Sequence, residues 1–225
     1  MYKNVIKRLI DLLLSSVAII VLTLPMLIIA LVIKIDDPGP VLFKQKRVGQ
    51  KKNGEITYFM IWKFRSMKMS TPHDTPTHLL NNPDQYITRV GRFIRKTSID
   101  ELPQIYQVFT SKLSVVGPRP ALWSQEDLIA EREKHGANDI KPGITGWAQI
   151  NGRDELEIDV KAKFDGEYAY ALNAGKFKGF IMDCRCFVGT IISVLKSDGV
   201  VEGGTGVLQK ENKKQVAEES EKVNV

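Results

Sequence analysis

Hydrophobic positions are not spread evenly along the chain; they crowd into residues 12–33, where almost every position is apolar. That run is about the length a helix needs to cross a bilayer. Downstream the pattern breaks into shorter units. Residues 41–46 and 56–63 are β-prone, and Lys51-Lys52-Asn53-Gly54 between them supplies a turn, so a hairpin is predicted. Residues 86–96 carry Arg89, Arg92, Arg95 and Lys96 on one basic helical face. An apolar-periodic stretch covers 105–113, and further helices are predicted over 124–134, 156–172 and 180–196. The last of these is apolar enough to pack or to lie on a membrane surface. Residues 70–83 and 142–146 read as loop and turn, and from 209 onward little can be buried, which predicts a disordered tail. The expected fold is mainly α with a small β-hairpin: a membrane element over 1–36, a globular part with amphipathic interfacial helices over 37–200, and a polar tail over 201–225.

The membrane element admits three readings. A cleaved signal peptide is disfavoured, because no small-residue cleavage site precedes Lys34-Ile35-Asp36-Asp37. A simple spanning helix would carry one basic flank across the membrane, since Lys3, Lys7 and Arg8 precede the apolar run and Lys34, Lys44, Lys46, Arg47, Lys51 and Lys52 follow it. That opposes the positive-inside bias. Pro25 sits mid-segment, where it removes a backbone hydrogen bond and crowds the preceding turn. A re-entrant helix-break-helix follows, with both flanks on the cytoplasmic side. Thr23 is placed to satisfy backbone groups freed at the bend.

Charge narrows the partners. The 225 residues carry a formal net charge of +6, which calls for an anion: nucleic acid, anionic lipid or a phosphorylated substrate. Cys184 and Cys186 are too close to bridge readily, and His73, His78 and His135 show no metal-ligand spacing. Both cysteines read as ordinary thiols of a reducing compartment. Gly203-Gly204-Thr205-Gly206 lacks the lysine of a phosphate-binding loop and reads as a flexible connection.

The chemistry-bearing candidate is Asp100-Glu101. Taken alone, the pair has a structural explanation: Asp100 as a helix N-cap with Glu101 in the first turn, or Ser98 and Glu101 as a capping box. Its surroundings shift the reading. Arg92, Arg95 and Lys96 arrive just before it, and Arg119 is fixed downstream between Pro118 and Pro120. A guanidinium aimed at little entropic cost suits phosphate oxygens. The grouping suggests phosphoryl transfer, one carboxylate attacking phosphorus and its neighbour holding Mg²⁺. Helix N-terminus and arginines would keep the attacking group ionised.

Several motifs, in order over residues 1–200, resemble the bacterial sugar transferase family, the monotopic polyprenyl-phosphate phosphoglycosyl transferases. They are Lys7-Arg8, the Pro-broken apolar segment, Gly39-Pro40-Val41-Leu42-Phe43-Lys44-Gln45 and Lys63-Phe64-Arg65-Ser66-Met67. Ser98-Ile99-Asp100-Glu101-Leu102-Pro103-Gln104, Ser114-Val115-Val116-Gly117-Pro118-Arg119-Pro120 and the stretch from Lys141 to Arg153 complete the set. The chain resembles the short form, without an extra N-terminal membrane domain. The resemblance implies a UDP-sugar donor, undecaprenyl phosphate as acceptor, Mg²⁺ and a two-step ping-pong reaction that releases UMP. By matching position, Asp100 is the implied nucleophile and Glu101 the magnesium ligand, with Asp100 beside the same ion. Arg95, Arg119, Lys63 and Arg65 are implied near the substrate phosphates, Lys7 and Arg8 at headgroup level, and the Trp147 loop as a wall of the site. Leu24-Pro25 departs from the Ser-Pro usual at the membrane break, and Gly166 and Cys184-Arg185-Cys186 are unusual for their helices.

Two other readings stay open. A membrane-bound glycosyltransferase passing sugar without phosphate would need an acidic metal pair, for which Asp36-Asp37 and Glu157-x-Asp159 are the nearest approach. A non-enzymatic basic anchor for lipid would bind without turnover; no nucleic-acid fold signature appears, and nucleic acid is not an expected partner. The expected location is the inner membrane, catalytic part facing the cytoplasm, with a homodimer as an allowed assembly.

Overall fold

The computed structural model describes residues 2–71, 83–152 and 156–195. The predicted tail, the 203–206 loop, most of the 70–83 loop, His73, His78 and Arg153 lie outside the described residues.

A π-helical turn over Tyr2–Ile6 leads into helix α1 (Lys7–Asp36), 30 residues or about 45 Å at 1.5 Å each. Among the described residues it is the one helix long and apolar enough to cross a membrane. The expected interruption at Pro25 is not seen: α1 is helical on both sides of the proline and through it. A single proline removes one backbone donor, at about 3 kcal/mol, and tertiary contacts hold the helix around it. Thr23 donates its hydroxyl to Ile19 O at 2.6 Å and pairs with the Tyr106 hydroxyl at 3.1 Å. Met26 and Ile33 form a buried cluster with Phe64 and Ile94.

The two faces of α1 differ. Lys7, Asp11, Ser15, Met26 and Ile33 are buried at helical spacing, while Leu9, Leu13, Val17, Ile20, Leu24, Leu27, Leu31 and Ile35 form an exposed apolar stripe along its full length. Both ends are tied to the same globular body. At the start, Lys7 Nζ meets Asp183 Oδ2 at 2.8 Å, Arg8 donates to Val108 O and Phe109 O at 2.7 Å each, and Asp11 accepts from Val115 N at 2.9 Å. At the finish, Asp36 Oδ2 accepts from Val90 N at 3.2 Å and Asp37 Oδ2 from Met69 N at 3.1 Å.

The hairpin forms as β1 (Leu42–Lys52) against β2 (Glu55–Phe64), longer than the sequence pattern suggested. Asn53 and Gly54 both take positive φ, 52° and 84°, as a two-residue hairpin turn matching strand twist requires. Helix α2 (Arg89–Lys96) follows, capped by Thr88, whose hydroxyl accepts from Gly91 N at 2.8 Å. Helix α3 (Gln104–Phe109) comes next and packs along α1.

Strand β3 (Ser114–Val116) pairs in parallel with β4 (Gly143–Thr145), a contact the hydrophobic pattern did not disclose. Backbones meet closely here. A Cβ on Gly143 would stand 2.1 Å from Gly117 N, so the position admits only glycine. The remaining helices are α4 (Glu126–Lys134), the short α5 (Trp147–Ile150), α6 (Ile158–Asn173) and α7 (Lys176–Leu195). Gly166 on α6 faces His135, whose Cβ lies 2.5 Å from where a side chain would begin, which explains a glycine inside a helix. On α7, Phe177, Phe180, Ile181, Val188, Ile191 and Ile192 are exposed on one stripe, an amphipathic pattern. Cys184 and Cys186 are free; Cys186 is buried, and burial followed by the Asp183 charge pushes its thiol up to about 12.

Candidate active site

The segment between α2 and α3 is built by a left-handed residue. Ser98 takes φ 56°, which turns the chain into a 3₁₀ helix over Ile99–Glu101, and α3 begins only at Gln104. Neither capping reading of the carboxylates is realised: Ser98 makes no side-chain cap, and Pro103 occupies the cap position of α3. The carboxylates are turned to other work. Lys63 Nζ lies 3.0 Å from Glu101 Oε1 and 3.7 Å from Asp100 Oδ2, and Arg119 Nη2 lies 2.9 Å from the same Glu101 oxygen. Asp100 and Lys63 are buried at 5% and 8% exposure.

Burial alone would raise the Glu101 carboxyl, but the charge of Arg119, then that of Lys63, and hydrogen bonds from both outweigh it. The net effect holds Glu101 well below the usual carboxylate range. A depressed folded-state pKa stabilises the fold above the ordinary value of 4.5, and that contribution declines as pH falls below it toward the folded value. The stability advantage of the native chain over Glu101→Gln should therefore shrink between about pH 6 and pH 3. Thermal midpoints of both proteins across that range would show it; parallel curves would refute the ionised pair.

Lys63, Asp100, Glu101 and Arg119 come together. Arg95 is half-buried on the last turn of α2, which packs against the 3₁₀ turn. Arg65 does not join the carboxylates. It turns to the exit of α1, donating to Asp37 O with Asp37 Oδ2 at 3.5 Å from Nη2, and its Nε and Nη1 are buried without a hydrogen-bond partner. Lys7 is buried against Asp183, whose carboxylate also accepts from Tyr2 and Tyr168, and Arg8 closes the C-terminal carbonyls of α3. Neither is brought to the Asp100–Glu101 pair. The Trp147 indole donates to Glu167 at 2.9 Å and stands edge-on to Phe164, so its ring is engaged in packing α5 on α6.

Two supporting residues escaped the sequence reading. Arg132 Nη2 donates to Arg119 O at 2.9 Å and meets Asp165 Oδ2 at 2.6 Å, fixing the backbone that carries Arg119. Gln107 accepts from Trp62 N at 2.9 Å and donates to Met60 O at 2.6 Å, locking α3 to the strand that carries Lys63. The available signal was weak: Gln104 and Gln107 are polar residues spaced three apart in an otherwise apolar-periodic helix. No group of three or more His, Cys, Asp or Glu placed to hold a metal occurs among the described residues. Two adjacent carboxylates do offer the hard oxygens that suit Mg²⁺, which needs few protein ligands when phosphates complete its shell.

Fold and site together define a helical protein with an exposed apolar N-terminal helix and a carboxylate pair, Asp100 buried and Glu101 half-buried, clasped by lysine and arginine. The chain belongs to the bacterial sugar transferase family, whose model matches residues 2–197. It is 38% identical over 178 residues to the UDP-glucose:undecaprenyl-phosphate glucose-1-phosphate transferase of Escherichia coli K12, covering 73% of this chain and 36% of that protein. It is 36% identical over 197 residues to the uncharacterized sugar transferase EpsL of Bacillus subtilis 168, covering 87% and 90%. It is also 36% identical over 201 residues to the exopolysaccharide production protein PSS of Rhizobium leguminosarum, covering 85% and 96%. The chain thus spans about a third of the E. coli relative and nearly all of the other two.

Proposed function

We propose that this protein transfers a sugar 1-phosphate from a UDP-sugar to undecaprenyl phosphate, releasing UMP and forming undecaprenyl-diphosphate-sugar in exopolysaccharide, capsule or glycan synthesis. The reading rests on one observation above others: a buried aspartate beside a glutamate whose charge is already held by Lys63 and Arg119. The names of relatives that act on UDP-sugars and undecaprenyl phosphate support it.

In the reaction a carboxylate oxygen of Asp100 attacks the β-phosphorus of the UDP-sugar. The bond from that phosphorus to the bridging oxygen breaks, and UMP leaves with the oxygen and its electron pair. Asp100 then carries the phosphosugar as an acyl phosphate. An oxygen of undecaprenyl phosphate attacks the same phosphorus, forming the lipid diphosphate and returning Asp100 as a carboxylate. Lys63 and Arg119 stay cationic throughout, in reach of oxygens on which charge accumulates. Asp100 and Glu101 would hold Mg²⁺, which when bound supplies charge neutralisation to the transferring phosphoryl group. Donor alone should leave a phosphosugar adduct visible by intact mass, and donor with acceptor and Mg²⁺ should release UMP. Release of UDP instead would mean transfer of sugar without phosphate, and no release at all would favour a non-enzymatic lipid anchor.

Membrane association follows the same line. α1 presents its apolar stripe outward while both of its ends are tied to one globular body, an arrangement that supports both basic flanks staying on the same side of the bilayer. The inner membrane, with the globular part in the cytoplasm, satisfies the basic flanks. Single cysteines replacing Lys3 and Lys34 in a Cys184→Ser background should both resist an impermeant thiol reagent from the periplasmic side and react once the inner membrane is opened. Labelling of either from the periplasm in intact cells would establish a spanning helix.

A further inference from the structure

We propose that the open middle of one face of the β1–β2 hairpin, with Lys44, Lys46, Tyr58 and Trp62 flanked by Trp123, is a docking surface for anionic phospholipid headgroups. The strand register places these residues together. Alternate residues of a strand point to opposite faces, and directly paired residues share one. Leu42 pairs with Phe64, Lys44 with Trp62, Lys46 with Met60 and Val48 with Tyr58, so all lie on one side of the hairpin. α1 covers only the Leu42–Phe64 end, through Met26 and Ile33. The far end is covered as well, Val48 being buried against Ala121, Leu128 and Ala162, and between the two ends the face is open: Tyr58 is 49% exposed and Met60 45%, with Trp123 beside them at 54%.

The exposed groups form a lysine–aromatic surface. Lys46 Nζ lies 4.6 Å from the centre of the Tyr58 ring and 5.4 Å from that of Trp123, and Lys44 Nζ lies 5.7 Å from the Trp62 ring. Amphipathic rings with ammonium groups above them match the boundary between hydrocarbon and phosphate, where tryptophan and tyrosine settle and lysine reaches outward. Charge complementarity favours anionic headgroups in a chain of net charge +6.

Continuity with α1 supports this occupant. The Leu42–Phe64 end of the face shares a buried cluster with Met26 and Ile33 of α1, and α1 carries the long exposed apolar stripe that would meet a bilayer, so the open part of the face begins beside the membrane element. Lys7 and Arg8, the expected headgroup contacts, are committed to Asp183 and to the end of α3. A nucleotide is the weaker occupant. Lys63 pairs with Phe43, which places its side chain on the opposite face of the hairpin from Lys46. The proposal rests on α1 being seated in a bilayer and is independent of the transfer reaction.

The test uses the unmodified full chain in nanodiscs of phosphatidylethanolamine and phosphatidylglycerol, doped with a phospholipid that carries a diazirine in its headgroup. After irradiation, peptide mapping should find adducts at Tyr58, Met60 or Trp123 as well as on α1, reduced severalfold in discs of phosphatidylcholine alone. The double variant Lys44→Glu/Lys46→Glu should lose the hairpin adducts severalfold and keep those on α1. Adducts confined to α1 and α7, or hairpin adducts indifferent to lipid charge and to the double variant, would overturn the proposal. So would labelling of Trp123 by a photoreactive UDP analogue in place of lipid.

Discussion

Replacing Asp100 by asparagine is expected to reduce UMP release by on the order of 10³-fold or more, because an amide cannot attack phosphorus and hold the product as an acyl phosphate. The fold should survive. Asp100 is 5% exposed, and Lys63 holds it less closely than it holds Glu101, at 3.7 Å against 3.0 Å. Asparagine keeps the shape and an acceptor oxygen while Glu101 retains both cations. The thermal midpoint should therefore move little while turnover collapses, and the donor-only phosphosugar adduct should disappear from the intact mass. Normal turnover by Asp100→Asn would eliminate the covalent mechanism, whatever the fate of the overall reaction.

The largest expected loss of stability lies away from the carboxylates. Arg132 and Asp165 are 4% and 1% exposed and form a buried pair at 2.6 Å, with a second bond from Arg132 Nε at 2.8 Å. Removing one partner strands the other charge out of water, at about 3–5 kcal/mol. Arg132→Leu should lower the melting midpoint by about 10 °C, given that about 1 kcal/mol corresponds to 2–4 °C in a domain of this size. It should also lower activity, since the bond to Arg119 O at 2.9 Å is lost and the loop presenting Arg119 to Glu101 is released. Arg132→Leu combined with Asp165→Leu removes both charges and should recover much of the stability without restoring activity. A melting shift within about 2 °C for the single variant would show that the pair carries no such weight.

Much of this site can be read from adjacent residues. Asp100-Glu101 and Pro118-Arg119-Pro120 are local features, and each arrived in the structure as a unit. The hairpin was legible for the same reason: Asn53-Gly54 needs positive φ at both positions, and β-prone runs flank it. The roles of single cations were less legible. Lys63 and Arg65 stand two apart in one motif, yet Lys63 meets Glu101 and Arg65 meets Asp37, because β2 ends at Phe64 and the chain turns there toward α1. Arg132 carried no signal at all; its partner is 33 positions away on another helix.

The expected break at Pro25 shows the same division. Proline weakens a helix by a local rule, but whether the helix parts depends on what packs around it, and here Tyr106 and the Phe64 cluster hold both sides. The sequence by itself determined the apolar helix, the hairpin, the acidic pair and the basic surplus, since these follow from propensity, periodicity and charge over short windows. Only the tertiary structure decided which cation meets which carboxylate, that both ends of α1 return to one body, and that β3 and β4 pair. Those outcomes depend on contacts between distant segments, where burial and close approach select one partner among many of equal local merit.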